Sequence, residues 1–163
     1  AVRTGIELAK HGIELHFYGN IDPEYAEDDK FLRLIKNHPT IHYHGVFEGF
    51  ESLPLDEYDM FLLTTRTEGL ANVILEACKA NIFIVSAAVG GLTECIRKGE
   101  NGILLNDEDK FNPEKYAAAI LDGYQDDRYA NIVSISKANN IVLKRHSLSA
   151  YEKAVIKTME LLP

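Results

Sequence analysis

Apolar residues along this chain come in two kinds of stretch. Short runs such as Ile82-Phe83-Ile84-Val85 and Met60-Phe61-Leu62-Leu63 are apolar at every position, and the longer stretches between such runs are amphipathic. Continuous runs read as strands covered on both faces, and amphipathic stretches as helices with one buried stripe. The pattern predicts strands at Ile13–Tyr18, Ile41–His44, Met60–Thr64, Ile82–Ser86 and Gly102–Leu105, with helices at Val2–Lys10, Glu24–Asn37, Ala71–Ala80 and Leu92–Lys98. Alternation of this kind specifies an α/β fold, a Rossmann-like parallel sheet flanked by helices.

Beyond Leu105 the alternation stops. Asn112–Tyr124, roughly Arg128–Leu143 and Ser147–Leu161 read as three successive helices, the first opened by Pro113, a residue favoured at helix starts. With no internal repeat or linker, residues 1–163 form one domain with terminal helices from about residue 112. The chain opens on a helix, whereas a doubly wound sheet normally begins with a strand that becomes central in its order. The expectation is a sheet lacking its first strand, in a domain truncated at its start.

Composition narrows the partners. The 163 residues, 46% of them hydrophobic, suffice for one core, and 17 Lys+Arg against 25 Asp+Glu give a formal charge of −8. That balance argues against a nucleic-acid partner, which needs a basic surface. A small anion held at a helix N-terminus stays open. There is no run of about 18 apolar residues that could span a membrane, and no secretory signal is read at the start. Cys78 and Cys95 sit in apolar helical contexts without metal-ligand spacing, so a reduced, cytoplasmic protein is expected.

The chemistry concentrates in Thr64–Asn101. Glu68-Gly69 closes a strand and precedes a helix, so the N–H groups near Leu70, Ala71 and Asn72 lack intrahelical partners and can receive a phosphate or carboxylate. Gly69 would let a ligand approach the backbone closely. In the helix that follows, Asn72, Glu76 and Lys79 share one face, which is either a ligand face or a solvated stripe with a Glu76–Lys79 pair. Gly90-Gly91 sits at a second strand-to-helix turn, again on the C-terminal sheet edge where α/β proteins bind ligands.

In this order, EGLANVILEA with its two glutamates seven residues apart, then IVSAAVGGLTECIRKGENGILL, resembles glycosyltransferase family 4, the retaining enzymes of GT-B fold. The likeness runs over about residues 10–125 and includes IHYHGV and LDEYDMFLLTTRTEG upstream of the motif. It implies a C-terminal nucleotide-sugar-binding domain. Glu68 would contact donor-sugar hydroxyls as the catalytic carboxylate, and Glu76 would accept hydrogen bonds from the nucleotide ribose. Backbone donors at Gly69, Leu70, Ala71 and Asn72 would meet sugar and diphosphate, with Gly90 and Gly91 completing the donor site. The resemblance further implies a nucleoside diphosphate sugar as substrate, no cofactor and no metal. The acceptor would be a glycan or a lipid-linked molecule, held by an N-terminal domain. A cytoplasmic enzyme follows, with peripheral association at the inner face of the membrane compatible with its acceptors. As it stands, the chain would bind donor and catalyse nothing.

Ala71 and Asn81 stand where the family often has proline and glycine, and the family's basic phosphate ligands lie upstream of the first helix, for which Arg3 and Lys10 are too far along to substitute. Two other readings are kept: another GT-B enzyme, such as a nucleotide-sugar epimerase, and a non-catalytic GT-B-like binding module. The remaining polar residues have plainer readings. His42 and His44 alternate on one strand face without a further ligand of matching spacing, so strand histidines are expected rather than a metal pair. Cys78 and Cys95 read as core, Arg66 as a surface ion pair beside Glu68, and Glu94 as a charge on the first turn of its helix.

Overall fold

The computed structural model describes residues 1–21 and 29–160, with the backbone alone at 29–31. In chain order the elements are α1 (Val2–Ala9), β1 (Leu15–Tyr18), α2 (Asp29–Asn37), β2 (Ile41–Gly45), β3 (Met60–Leu63), α3 (Asn72–Ala80), β4 (Phe83–Ala87), α4 (Leu92–Cys95), β5 (Gly102–Leu105), α5 (Pro113–Gln125), α6 (Ile132–Arg145) and α7 (Leu148–Met159). Each expected element in the described residues is present, most with ends moved by one or two positions. Expected helix positions 24–28 and 161 lie outside the described residues.

All strand pairs are parallel, but among the described residues they form two sheets, β1-β2 and β3-β4-β5. A cavity of about 900 Å³ lies between them, lined on one side by Leu15–Tyr18 and on the other by Met60–Thr64. Among the described residues β1 and β3 therefore each present one edge without a strand partner. This interruption leaves no strand between β1 and β3 among the described residues. It also corrects the reading of β3 as a strand covered on both faces: β4 is buried at all five positions, whereas β3 is only half-buried along its length. β3 flanks the cavity, while β4 is enclosed by strands on both sides.

The core lies around β4, with Ile74, Ala77 and Cys78 of α3, Leu92 and Cys95 of α4, and Ile135 and Val142 of α6 packed into it. Each large apolar side chain among them contributes about 1.5–3 kcal/mol by leaving water. A polar network ties the same elements together. Asn101 and Asn139 are fully buried. Asn101 Nδ2 donates to Asn139 Oδ1 at 2.7 Å and to the Cys95 carbonyl at 3.1 Å, and Asn139 Nδ2 donates to Asn81 Oδ1 at 3.3 Å.

This network explains two departures from expectation. Asn101 Oδ1 accepts the Arg97 N–H at 2.7 Å, the donor that a continuing helix would direct at Thr93. Helix α4 accordingly ends at Cys95 instead of reaching Lys98, with Ile96 extended. Asn81, in the place of an expected glycine, adopts φ +56° at the end of α3, a left-handed conformation that asparagine tolerates. Its side chain then joins the network.

Candidate functional site

Three of the later helices carry a side-chain cap. Asn112 accepts from Lys115 N–H, Asn131 from Ser134 N–H, and Ser147 from Ala150 N–H. Such caps contribute about 0.5–2 kcal/mol each. Helix α3 begins differently: its N-cap is Ala71, buried and without a capping side chain. The Ile74 N–H donates to the Ala71 carbonyl at 3.0 Å, and the N–H groups of Asn72 and Val73 are left for another acceptor. Ala71 has φ −70°, a value proline would also adopt, so alanine in place of proline leaves this entry to the helix unchanged.

The loop ahead of α3 is held in place by the diglycine. The Gly91 N–H donates to the Gly69 carbonyl at 2.9 Å. Gly90 has φ +51°, and a Cβ there would lie 1.8 Å from the Glu68 carbonyl oxygen; at Gly91 it would lie 2.7 Å from that of Gly69. No side chain fits at either position, so the β4–α4 turn can press its bare backbone against Glu68-Gly69. The Thr65 hydroxyl donates to the Thr67 carbonyl at 3.0 Å and closes the preceding turn.

Glu68, Gly69, Leu70, Ala71, Asn72, Gly90 and Gly91 thus meet where β3 and β4 end, as the sequence implied. Glu76 stands on the exposed face of α3 one turn in from Asn72. Among the described residues neither Glu68 nor Glu76 has a hydrogen-bonding or ion-pair partner, and the Glu76–Lys79 pair is not formed. Leu70 is 40% exposed and borders a cleft of about 550 Å³ against Arg145–Leu148 and Tyr151. Helix α7 contributes no buried residue and exposes Leu148, Tyr151, Ile156 and Met159.

Other polar residues resolve as follows. Arg66 lies with its guanidinium 5.9 Å from the centre of the Phe111 ring instead of pairing with Glu68. Glu94 is engaged by Arg145 at 2.8 Å, an exposed pair between α4 and α6. Burial pushes the Cys78 thiol up to about 12 and the Cys95 thiol up to about 11, so neither is a nucleophile at neutral pH. The histidines were read too narrowly. His16 pairs in register with His42, and Glu14 reaches both rings. Only strand register brings these residues together, and no spacing in the sequence announces it.

The C-terminal edge of the parallel β3-β4-β5 sheet thus carries a helix start without a side-chain cap, a bare diglycine turn and two carboxylates unpartnered among the described residues. The chain belongs to the family Glycosyl transferases group 1, whose sequence model matches residues 2–126. Its structure resembles Anabaena HepE solved in complex with UDP, with a TM-score of 0.76 at 18% identity over 98% of this chain and 44% of that one. It also resembles the pneumococcal O-GlcNAc transferase GtfA in complex with UDP and GlcNAc, with a TM-score of 0.72 at 21% identity over 97% of this chain and 32% of that one. Among curated proteins, the D-inositol 3-phosphate glycosyltransferase of Geodermatophilus obscurus is 32% identical over 87 residues, 53% of this chain and 18% of that protein. The Vi polysaccharide biosynthesis protein VipC/TviE of Salmonella typhi is 36% identical over 58 residues, 36% of this chain and 10% of that protein. The chain spans less than half the length of these relatives. Together the matches bear out the GT-B architecture.

Proposed function

We propose that this chain is the donor-binding C-terminal domain of a retaining GT-B glycosyltransferase of family 4. It would carry a hexose-type sugar from a nucleoside diphosphate to a glycan or lipid-linked acceptor. The observation that carries this reading is the backbone lock between Gly90-Gly91 and Glu68-Gly69. It sets the first turn of α3, with Glu68 before it and Glu76 one turn further in, as one surface.

In that role the first-turn N–H donors of α3 receive the diphosphate, where charge accumulates as the bond to the sugar breaks. Donors fixed there before reaction assist departure most. Glu76 takes the ribose diol, for which a carboxylate supplies two acceptor oxygens in one plane. Glu68, at the loop, takes hydroxyls of the transferring sugar, and the acceptor attacks from the face the diphosphate leaves. UDP in the HepE and GtfA complexes makes a uridine donor the first to try. The polysaccharide-biosynthesis name of one relative favours a glycan acceptor. One wall of the cleft comes from these residues, so the chain by itself binds donor weakly and transfers nothing.

Gly69 supplies the test. A Cβ at Gly69 would meet no protein atom within 4 Å, so the fold does not require glycine there. Gly69→Ala should leave stability within about 0.5 kcal/mol of the parent chain, as surface substitutions do, yet weaken binding of UDP-glucose about tenfold, or about 1.4 kcal/mol. Calorimetric titration together with urea unfolding measures both. Unchanged donor affinity in a normally folded variant would remove Gly69 from the site.

A further inference from the structure

The Glu14, His16 and His42 side chains form a second polar centre, apart from the donor edge. Gly5 of α1 packs on Leu15 and Ile41. Side chains alternate along a strand, so Glu14, His16 and His42 project from the opposite face of the β1-β2 sheet. Glu14 immediately precedes β1, at the end of the strand away from the edge where donor loops emerge.

Glu14 Oε2 lies 3.3 Å from His16 Nε2 and 3.3 Å from His42 Nε2, and the three atoms all fall within 4.8 Å of one another. A tetrahedral metal with bonds of about 2.0–2.1 Å places its ligand atoms about 3.3–3.4 Å apart. Two of the three edges therefore already have the length a bound zinc ion would impose. His42 Nε2 is covered from solvent yet has no hydrogen-bond partner among the described residues, although the carboxylate is beside it. A buried ring nitrogen left in this way costs about 1–3 kcal/mol unless something engages it. On the other side of His16, Nδ1 lies 2.9 Å from His44 Nε2 and 3.4 Å from the Tyr58 hydroxyl. Without an ion His16 Nε2–H can donate to the carboxylate; a proton on Nδ1, donated to His44, instead leaves the Nε2 lone pair for an ion held between ring and carboxylate. That is the outer contact that fixes a metal-ligating imidazole.

We infer that Glu14, His16 and His42 form a binding site for a zinc ion or a similar borderline divalent metal. The two imidazoles and one carboxylate would leave a fourth position to water or a further ligand. His16 and His42 are 25% and 36% exposed and Glu14 57%, so the ion can enter from solvent. Imidazole nitrogens select zinc over magnesium or calcium, which prefer all-oxygen ligands. Bound metal would tie β2 to β1 through side chains as well as backbone. The donor reading does not depend on this site, nor the site on that reading.

Zinc chloride titrated into the chelator-treated chain tests the inference, with Glu14→Gln, His42→Gln and His38→Gln variants checked for folding by circular dichroism. His38 contacts Thr40 outside the cluster and serves as the control. The expected result is one zinc per chain, weakened at least about tenfold by Glu14→Gln and by His42→Gln, and unchanged by His38→Gln. Absence of saturable binding below about 100 μM would overturn the inference. So would binding that survives both ligand substitutions in folded protein.

Discussion

Replacing Gly90 by alanine should destabilise the chain by about 2–5 kcal/mol and abolish measurable donor binding. Two costs combine. The residue has φ +51°, where an L side chain costs about 1–2 kcal/mol. The new Cβ would then stand 1.8 Å from the Glu68 carbonyl oxygen, nearly a bond length, and backbone rather than a flexible side chain has to move. Overpacking of this kind typically costs about 1–3 kcal/mol. Small domains have about 5–15 kcal/mol of stability in total, so the variant should fold with a much lowered midpoint in urea. The movement that relieves the clash also separates Gly91 N–H from the Gly69 carbonyl and displaces the loop that holds Glu68. Gly69→Ala on the opposing loop, where a Cβ meets no protein atom, is the matched control for stability alone. A Gly90→Ala protein as stable as the parent, with donor affinity intact, would show that the two loops are not locked as described.

Glu76→Ala should leave stability nearly unchanged, because the side chain is exposed and engages no other residue among those described. Its effect belongs to the ligand. Hydrogen bonds to a charged group contribute about 1.5–3 kcal/mol, so affinity for UDP should fall between about tenfold and more than a hundredfold. Glu68→Gln separates the two carboxylates. It lies on the loop ahead of the helix, where the transferring sugar would sit, and should leave UDP affinity nearly intact. In the complete enzyme the same change should lower turnover strongly. Equal loss of UDP binding in both variants would defeat the division of labour. Unchanged affinity in folded Glu76→Ala protein would return Glu76 to a solvated helix face.

Much of this was legible in the sequence, for identifiable reasons. The continuous apolar run Ile82–Val85 read as an enclosed strand, and β4 is buried throughout; β5 begins and ends where its pattern does. The helix from α3 onward was read one residue early, because Ala71 is its N-cap. Helix α6 starts at Ile132, later than apolar periodicity suggested, because Asn131 caps it and Arg128–Ala130 form a separate turn. That asparagine was a readable signal. What escaped depends on contacts across the fold. Asn101, four residues past Arg97, halts α4 through a side chain held on its other side by Asn139 of α6, and Glu14 meets His42 only because β1 and β2 pair in one register. The half-exposed β3 reflects its cavity, which no property of Met60–Leu63 itself foretells.

The donor site is tested most directly by following the backbone amides of the isotope-labelled chain as UDP-glucose is added. Amide signals respond to a ligand seated on them, even when affinity is weak. The account predicts saturable shifts centred on Gly69, Leu70, Ala71, Asn72, Gly90 and Gly91, with Glu76→Ala moving the titration to higher ligand concentration. Amides of the β1-β2 sheet should stay in place. Saturable shifts centred on the cavity between the two sheets, or none at the start of α3 at millimolar ligand, would contradict the assignment of this edge as the donor site.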